Sequence, residues 1–430
     1  MAAVEVPIAL LGYGTVGAAV NRLLEESGDD IERATGHRLR VVRALVRDPE
    51  RERGFATADG VLTADFEEIA RDPTIELVAE VMGGVEPTGG YVLRLLRAGK
   101  AVVSANKQLV ARRGAELFAA ASDAGVQLRF EASVCAAIPV IKVLREALVA
   151  NNVHRVLGIV NGTTNFVLTR MEDGASYADA LAEAQRLGFA EADPGDDVSG
   201  ADAAAKMAIL ATVAFGSRVH IEDVICEGIE RIRPEHVQAA NEFDMVVRLV
   251  GSAALTGDAV DVRVQPSLVD RRHPLASIEG AFNGVMLQGD AIREIILEGP
   301  GAGGLETASA VVADMVSIVG TTGTGFLQND ASWRMLPRLP PGDLRSAYYL
   351  HVEVVDRPGV LAHVAQCLAA EGVSVARLTQ RQLDGGASLD LVTHEAASGR
   401  VEAAVAAVAD VEEVHGRPTL MRVIGDVERR

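Results

Sequence analysis

Over the first hundred positions, short apolar runs alternate with segments whose apolar residues recur every three or four places. Residues 8–11 (Ile-Ala-Leu-Leu) have no polar face, the pattern of a strand buried on both sides of a parallel sheet. Residues 18–26 follow with helical spacing. Residues 39–46, rich in Val and Leu, and then 77–81 and 100–104 read as further strands, with a helix over 90–98 between the last two. Strands alternating with helices predict a doubly wound parallel sheet.

Beyond about residue 130 the texture changes. Helical spacing is found over 138–150, 177–187 and 202–215, and strand-like runs over 153–160, 260–264, 281–288 and 291–297. These strands cluster without regular crossover helices, so a mixed α+β region is expected, followed by one more helix over 307–318. The segment 335–343 holds three prolines and a glycine and reads as a linker. After it comes strand 348–354, helix 360–371, strands 373–380 and 388–394, helix 400–408 and strand 414–424. This is a βαββαβ unit of the ferredoxin-like kind.

Charge and cysteine content narrow the function classes. Lys and Arg total 41 against 60 Asp and Glu, a net charge of −19, which argues against nucleic-acid and anionic-membrane partners because both need basic patches. Cys135, Cys226 and Cys367 are far apart and odd in number, so neither a disulfide framework nor a cysteine zinc site is expected. A reducing compartment follows, and the absence of a basic n-region, an apolar h-region and a long apolar run leads to the expectation of a cytoplasmic protein.

Four segments carry candidate chemistry. Gly12-Tyr-Gly14-Thr15-Val16-Gly17 lies between a strand and a helix, where G-x-G-x-x-G cradles a dinucleotide pyrophosphate on a helix N-terminus. At the end of the second strand Arg47 precedes Asp48-Pro49. An arginine there favours a 2′-phosphate and hence NADP, with NAD the alternative. Ser104, Asn106 and Lys107 follow another strand end and so stand near a cofactor, although Lys107 is equally readable as an exposed surface lysine. Finally, residues 191–206 hold five acids, Glu191, Asp193, Asp196, Asp197 and Asp202, and one lysine, Lys206. Asp202 and Lys206 share a helical face among Ala, Met, Ile and Leu. A lysine so buried needs a partner, and burial can draw its pKa down toward a working value. The acids suit an ammonium-bearing substrate, and the lysine can move the proton of an alcohol. Two further segments stay open: 161–166 can line a site or cap a helix, and Pro300-Gly301-Ala-Gly303-Gly304 can touch a cofactor or only close the fold.

Together with Glu131-Ala-Ser-Val134 and Thr307-Ala-Ser-Ala310, these segments resemble, in order and over nearly the whole chain, homoserine dehydrogenases of the long form. The resemblance implies a Rossmann domain over 1–135 with a returning helix near 305–320. It implies a catalytic and dimerisation domain over 136–335, a linker over 336–346 and an ACT regulatory domain over 347–426. It further implies interconversion of L-homoserine and L-aspartate 4-semialdehyde in threonine, methionine and isoleucine biosynthesis. Lys206 would be the proton donor and Lys107 its neighbour beside the nicotinamide. Glu191, Asp202 and Asp197 would face the substrate, and Gly188 and Gly303 the cofactor. A monovalent cation, sodium first, would lie on backbone oxygens of Glu131, Val134, Ala136 and Ile138. The chain departs from the family's glycine-rich pattern there, reading Cys135-Ala136-Ala137. Asp356, Pro358, Gly359, Val360 and Leu361 form the signature turn of the ACT unit, for which L-threonine is the implied effector and a purely dimerising role the alternative. A homo-oligomer, dimer or tetramer, is also implied. A dehydrogenase for another amino-acid semialdehyde and a catalytically silent amino-acid sensor are the competing readings.

Overall fold

The computed structural model describes residues 4–320, apart from 52, 54–56 and 258, and residues 340–423, apart from 384. The chain divides into two compact units, 1–333 and 334–430.

The first unit opens with six strands: β1 (Val4–Leu11), β2 (His37–Leu45), β3 (Leu62–Thr63), β4 (Leu77–Glu80), β5 (Ala101–Ser104) and β6 (Leu128–Arg129). All neighbours are parallel, in the order β3-β2-β1-β4-β5-β6. Helices α1 (Thr15–Glu26), α2 (Gly28–Thr35), α3 (Glu67–Ala70), α4 (Thr88–Arg97) and α5 (Lys107–Asp123) connect them. The run without a polar face at residues 8–11 now has its reason. Ile8 and Leu10 pack with Val20 and Leu24 of α1, while Ala9 and Leu11 pack with Leu95 and Leu96 of α4 and Leu109 of α5. Strand order reverses direction between β1 and β4, so the carboxyl ends of β1, β4 and β5 border the crevice where such sheets bind ligands.

After β6 the chain enters a helical segment shorter than the sequence pattern suggests. In place of one helix over 138–150 there is α6 (Val140–Lys142), running into a π-helical turn over Val143–Ala147. Then come β7 (Val153–Ile159), α7 (Gly162–Glu172), α8 (Tyr177–Leu187), α9 (Gly195–Val198) and α10 (Ala201–Phe215). They are followed by β8 (Ile225–Cys226), α11 (Pro234–Glu242), β9 (Met245–Thr256), β10 (Ala259–Asp270), β11 (Phe282–Gly289), β12 (Arg293–Pro300) and α12 (Gly304–Gly320). The six strands form a mixed sheet in the order β12-β11-β7-β9-β10-β8. Val156, Val285 and Leu287 on one face pack with Ala204, Met207 and Ala208 of α10. On the other face Arg248, fully buried, donates to the carbonyls of Ile278 (3.3 Å) and Ala276 (3.2 Å) and pairs with Glu172. It thereby pins the turn before β11. Helix α12 returns to the parallel sheet, where Ala308, Val311 and Met315 join the core of β1 and α1.

The second unit contains β13 (Arg345–Val354), α13 (Val360–Ala370), β14 (Val375–Leu383), β15 (Gly386–Thr393), β16 (Ala396–Ala397), α14 (Ser398–Ala409) and β17 (Val414–Val423). β13 lies centrally, antiparallel to β15 and β17, and Leu350, Val352, Leu389 and Leu391 pack with Val364, Leu368 and Val408 of the helices. Residues 336–339 of the expected linker lie outside the described residues. Of the rest, Pro341–Asp343 form a 3-10 turn and β13 begins at Arg345.

Candidate functional site

The glycine turn follows β1 directly. Gly12 has φ +108°, a conformation strained for any residue with a Cβ, and its N–H donates to Leu45 O at 3.0 Å. A Cβ on Gly17 would lie 2.4 Å from Gly12 O, so the third glycine is what lets α1 start against the strand end. A Cβ on Gly14 would meet nothing within 4 Å: that position is open, as the approach of a diphosphate requires. Thr15 and Val16 supply the first N–H groups of α1. Gly303, at φ +138°, introduces α12, and a Cβ on Gly304 would lie 2.8 Å from Thr15 Cγ2. Two helix N-termini thus adjoin a cavity of about 440 Å³ lined by Thr15, Ala18, Arg22, Gly304 and Glu306. Their unpaired N–H groups and dipoles suit the charge of a dinucleotide. Arg47 stands two residues past β2, exposed. Gly188 ends α8 in the left-handed region at φ +80°.

The lysines and acids converge on one carboxylate. Helix α10 is buried continuously from Asp202 to Ala211, so its two charged residues must satisfy each other or their neighbours. Asp202 Oδ2 lies 2.9 Å from Lys206 Nζ, and its Oδ1 lies 2.5 Å from Lys107 Nζ at the first turn of α5. Lys206 also donates to Val160 O at 2.8 Å, at the end of β7. Burial works against the charge of Asp202, but the Lys206 and Lys107 ammoniums outweigh it and hold the carboxyl well below the usual range. Burial likewise pulls Lys206 down, and the Asp202 carboxylate more than restores it, so its pKa is raised. The expectation of a depressed lysine pKa is therefore corrected: the partner carboxylate dominates over desolvation.

Asn161 resolves its open reading by doing both jobs. Its Oδ1 caps α7 by accepting from Thr164 N (2.8 Å), while its Nδ2 donates to Asp202 Oδ2 (2.9 Å) and Asp197 Oδ1 (2.7 Å). Asp197 thus joins the cluster through an amide. Glu191 does not join it: among the described residues no ion pair ties its exposed carboxylate to the lysines.

The turn after β6 holds Glu131, whose carboxylate accepts from Ile141 N (2.7 Å) and Lys142 N (2.8 Å) at the start of the next helix. Burial pushes Glu131 up to about 7, against those two donors. Its own N–H donates to Asp314 of α12 at 2.9 Å. Val134, Ala136 and Ile138 are buried along the same turn. Ala136 adopts φ +42°, so the backbone keeps a glycine-like bend although the residue is alanine. Cys135 is fully buried, and desolvation pushes its thiol up to about 11. Among the described residues no group of three or more His, Cys, Asp or Glu is placed to hold a metal, so a cation at this turn would rely on main-chain oxygens.

In the second unit, Asp356, Pro358 and Gly359 form an exposed turn between β13 and α13, with Gly359 capping the helix at φ +99°. Val360 is buried and Leu361 is 37 % exposed. Arg357 Nη2 donates to Glu413 Oε1 at 2.7 Å and ties this turn to the start of β17.

Sequence reasoning missed Glu80. An acid ending an apolar strand reads as the point where the chain surfaces, yet this one is fully buried beside Ser104.

Comparison with known proteins gives a consistent result. Residues 139–316 match the family described as homoserine dehydrogenase, 12–131 its NAD-binding domain and 348–413 the ACT domain. The chain is 42% identical to the homoserine dehydrogenase of Corynebacterium glutamicum over 91% of its own length and 89% of that protein's. It superposes on a homoserine dehydrogenase from Thiobacillus denitrificans with TM-score 0.71 and 38% identity, covering 98% and 99% of the two chains. A hyperthermophilic archaeal homoserine dehydrogenase in complex with NADPH matches 75% of this chain and 99% of its own, with TM-score 0.64 and 29% identity.

Proposed function

The chain belongs to the homoserine dehydrogenase family, oxidoreductases acting on a CH–OH group, and from that premise we propose that it interconverts L-homoserine and L-aspartate 4-semialdehyde with NADP, or alternatively NAD. The observation that carries the reading is Asp202 holding Lys107 and Lys206 together, one from the helix after β5 and one from α10. Lys107 follows the strand end that borders the nucleotide-binding crevice and Lys206 lies one turn after Asp202, which supports a shared reaction site there. A silent sensor has no need of two lysines held on one buried carboxylate.

A bound nicotinamide supplies hydride in reduction and accepts it in oxidation. The chain's own residues do the rest. Lys206 gives two of its three N–H donors to Asp202 and Val160 O, which leaves one for the substrate oxygen. In reduction it passes that proton to the aldehyde oxygen as the hydride arrives at carbon; in oxidation it takes the proton back. Lys107, less buried, adds positive charge beside the same oxygen. Asp197 and Glu191 belong to the acidic loop, where they would attract the substrate ammonium. Arg47 would take the 2′-phosphate of NADP, and Gly12, Gly14, Gly17 and Gly303 would admit its diphosphate; an NADPH complex within the family supports that preference. The bend at Ala136 fits a monovalent cation, sodium first, on the carbonyls of Glu131, Val134, Ala136 and Ile138. The ACT match supports an amino-acid effector, for which we assign L-threonine, in a homo-oligomer that feeds threonine, methionine and isoleucine synthesis.

The test is homoserine-dependent reduction of NADP and NAD followed by absorbance, with and without threonine. Turnover with homoserine is expected, and Lys206→Ala should lower it by about a hundredfold or more while NADPH affinity holds. No turnover with either cofactor would overturn the substrate, and an active Lys206→Ala variant would remove the lysine from its role.

A further inference from the structure

Glu80 closes β4 and is fully buried. Its Oε1 accepts from Met82 N (3.0 Å) and Gly83 N (3.1 Å), and its Oε2 accepts from Ser104 Oγ (2.6 Å). Ser104 Oγ in turn accepts from Asn106 N at 3.1 Å. Asn106 caps α5 by accepting from Leu109 N (3.0 Å), and its Nδ2 donates to Gly84 O (2.6 Å). Lys107 is the first residue of that helix. Met82 packs on the nucleotide turn, with its backbone 3.0 Å from where a Cβ on Gly12 would lie. Gly83 and Gly84 both have positive φ, 73° and 72°, and Gly83 O also accepts from Thr88 Oγ1 at 2.7 Å.

One buried carboxylate therefore ties three pieces together: the glycine turn through Met82, the loop at 83–84, and the first turn of α5 through Ser104 and Asn106. We propose that Glu80 is a positioning residue that sets Lys107 relative to the bound nicotinamide cofactor. The proposal rests on the dehydrogenase reading, and its charge pattern makes it specific. Every group aimed at Glu80 is a donor, and Ser104 already receives the Asn106 N–H. In Glu80→Gln the amide nitrogen must face either the Met82 and Gly83 N–H groups, donor against donor, or Ser104, whose hydroxyl proton then loses its carboxylate acceptor, so one link is lost in a buried place.

The experiment compares the full-length protein with Glu80→Gln, Ser104→Ala and the double variant. Steady-state kinetics with homoserine and NADP, the NADPH dissociation constant from fluorescence, and the melting temperature are measured. Glu80→Gln is expected to lower kcat by about ten- to a hundredfold and to weaken NADPH severalfold, because small misplacements cost that much. The melting temperature should move by a few degrees at most. The double variant should be no worse than the poorer single one, since both break the same chain. Wild-type kcat and NADPH affinity in Glu80→Gln would overturn the proposal, as would losses that multiply in the double variant. If Glu80→Gln does not fold, Ser104→Ala decides alone: a loss in kcat upholds the relay and wild-type kinetics end it. Should the wild-type protein not turn over homoserine, the dehydrogenase reading fails separately, and unchanged NADPH affinity in Glu80→Gln would still refute the positioning role.

Discussion

Lys206 Nζ lies 2.9 Å from Oδ2 of Asp202, its neighbour one helical turn earlier, and Asp202 spends its other oxygen on Lys107 at 2.5 Å. Two ammoniums share one carboxylate, with Asp197 held at the edge through Asn161; Lys206 and Asp202 are buried while Lys107 reaches toward solvent. Ammoniums so placed suit an oxygen that gains negative charge as hydride reaches carbon. It also sets the protonation state: Asp202 keeps Lys206 charged where burial alone would discharge it.

Asp202→Asn tests that balance. Without the carboxylate, desolvation and the second ammonium both favour neutral Lys206. In the proposed role Lys206 gives its proton to the aldehyde, so the alkaline limb of the reduction's pH profile should move down by about one to three pH units. Stability follows the opposite group. The Asp202 pKa is depressed in the folded state, so its contribution is present above the ordinary aspartate pKa of about 3.9 and is lost as pH falls below it. The variant should be less stable at neutral pH and lose less on acidification. An unmoved alkaline limb would show that Asp202 does not govern the proton donor.

The two glycines of the nucleotide turn should separate folding from binding. A Cβ on Gly17 would lie 2.4 Å from Gly12 O, whereas one on Gly14 would meet nothing within 4 Å. Gly17→Ala should therefore lower the melting temperature and NADPH affinity together. Gly14→Ala should melt like the wild type yet lose NADPH affinity, because its methyl group occupies the approach to the diphosphate. Full affinity in Gly14→Ala, read by fluorescence titration, would place the diphosphate elsewhere.

Arg47 is the sole residue on which the preference for NADP was read from sequence, and it is exposed past the end of β2. Arg47→Ala should raise KM for NADP by about tenfold, the scale of one charge-assisted contact, and leave KM for NAD nearly unchanged. Equal effects on the two cofactors would mean that the arginine does not meet a 2′-phosphate.

How much of this was legible in the sequence depended on whether a signal was local. The parallel sheet was legible because burial on both faces removes polar residues from short runs such as 8–11. The Asp202–Lys206 pair was legible because a helix fixes which residues share a face. Helix α5 and the paired strands β9 and β10 were less so. Residues 107–123 mix Arg and Gln with small apolar residues, and in β10 Asp261 and Arg263 break the apolar run. Glu80 and the bridge from Lys107 to Asp202 were illegible for a different reason. They join residues far apart in sequence, and nothing in a strand's own pattern announces that its terminal acid will be covered. The pKa of Lys206 was misjudged because burial and the partner were both visible in sequence, while which of the two dominates was not.

Ala136 carries the mark of the departure from a glycine-rich turn. At φ +42° it holds a conformation that costs an alanine more than a glycine. Ala136→Gly should relieve that cost, with a gain of up to about 1 kcal/mol once glycine's extra freedom in the unfolded chain is allowed for. If a cation sits on the neighbouring carbonyls, sodium should raise the urea midpoint of both proteins, whereas a bulky organic cation at equal ionic strength should not. An identical response to both cations would remove the ion from this turn.

The C-terminal unit offers the clearest separation of catalysis from control. Its core, with Leu350, Val352, Val364, Leu389 and Val408, is its own. Among the described residues, the core around β1 and α1 is completed by α12 and includes none after 320. The archaeal relative bound to NADPH matches 75% of this chain with 99% of its own length, which is a precedent for the fold at about that size. Removing the chain from about residue 345 should therefore leave homoserine oxidation within a few-fold of the full-length rate. Threonine inhibition should vanish in the same preparation, because the exposed turn at Asp356, Pro358 and Gly359 goes with the deleted segment. A truncated protein that is active and still inhibited would put the effector site in the first unit. One that is folded but inactive would make the C-terminal unit part of the catalytic assembly rather than its regulator.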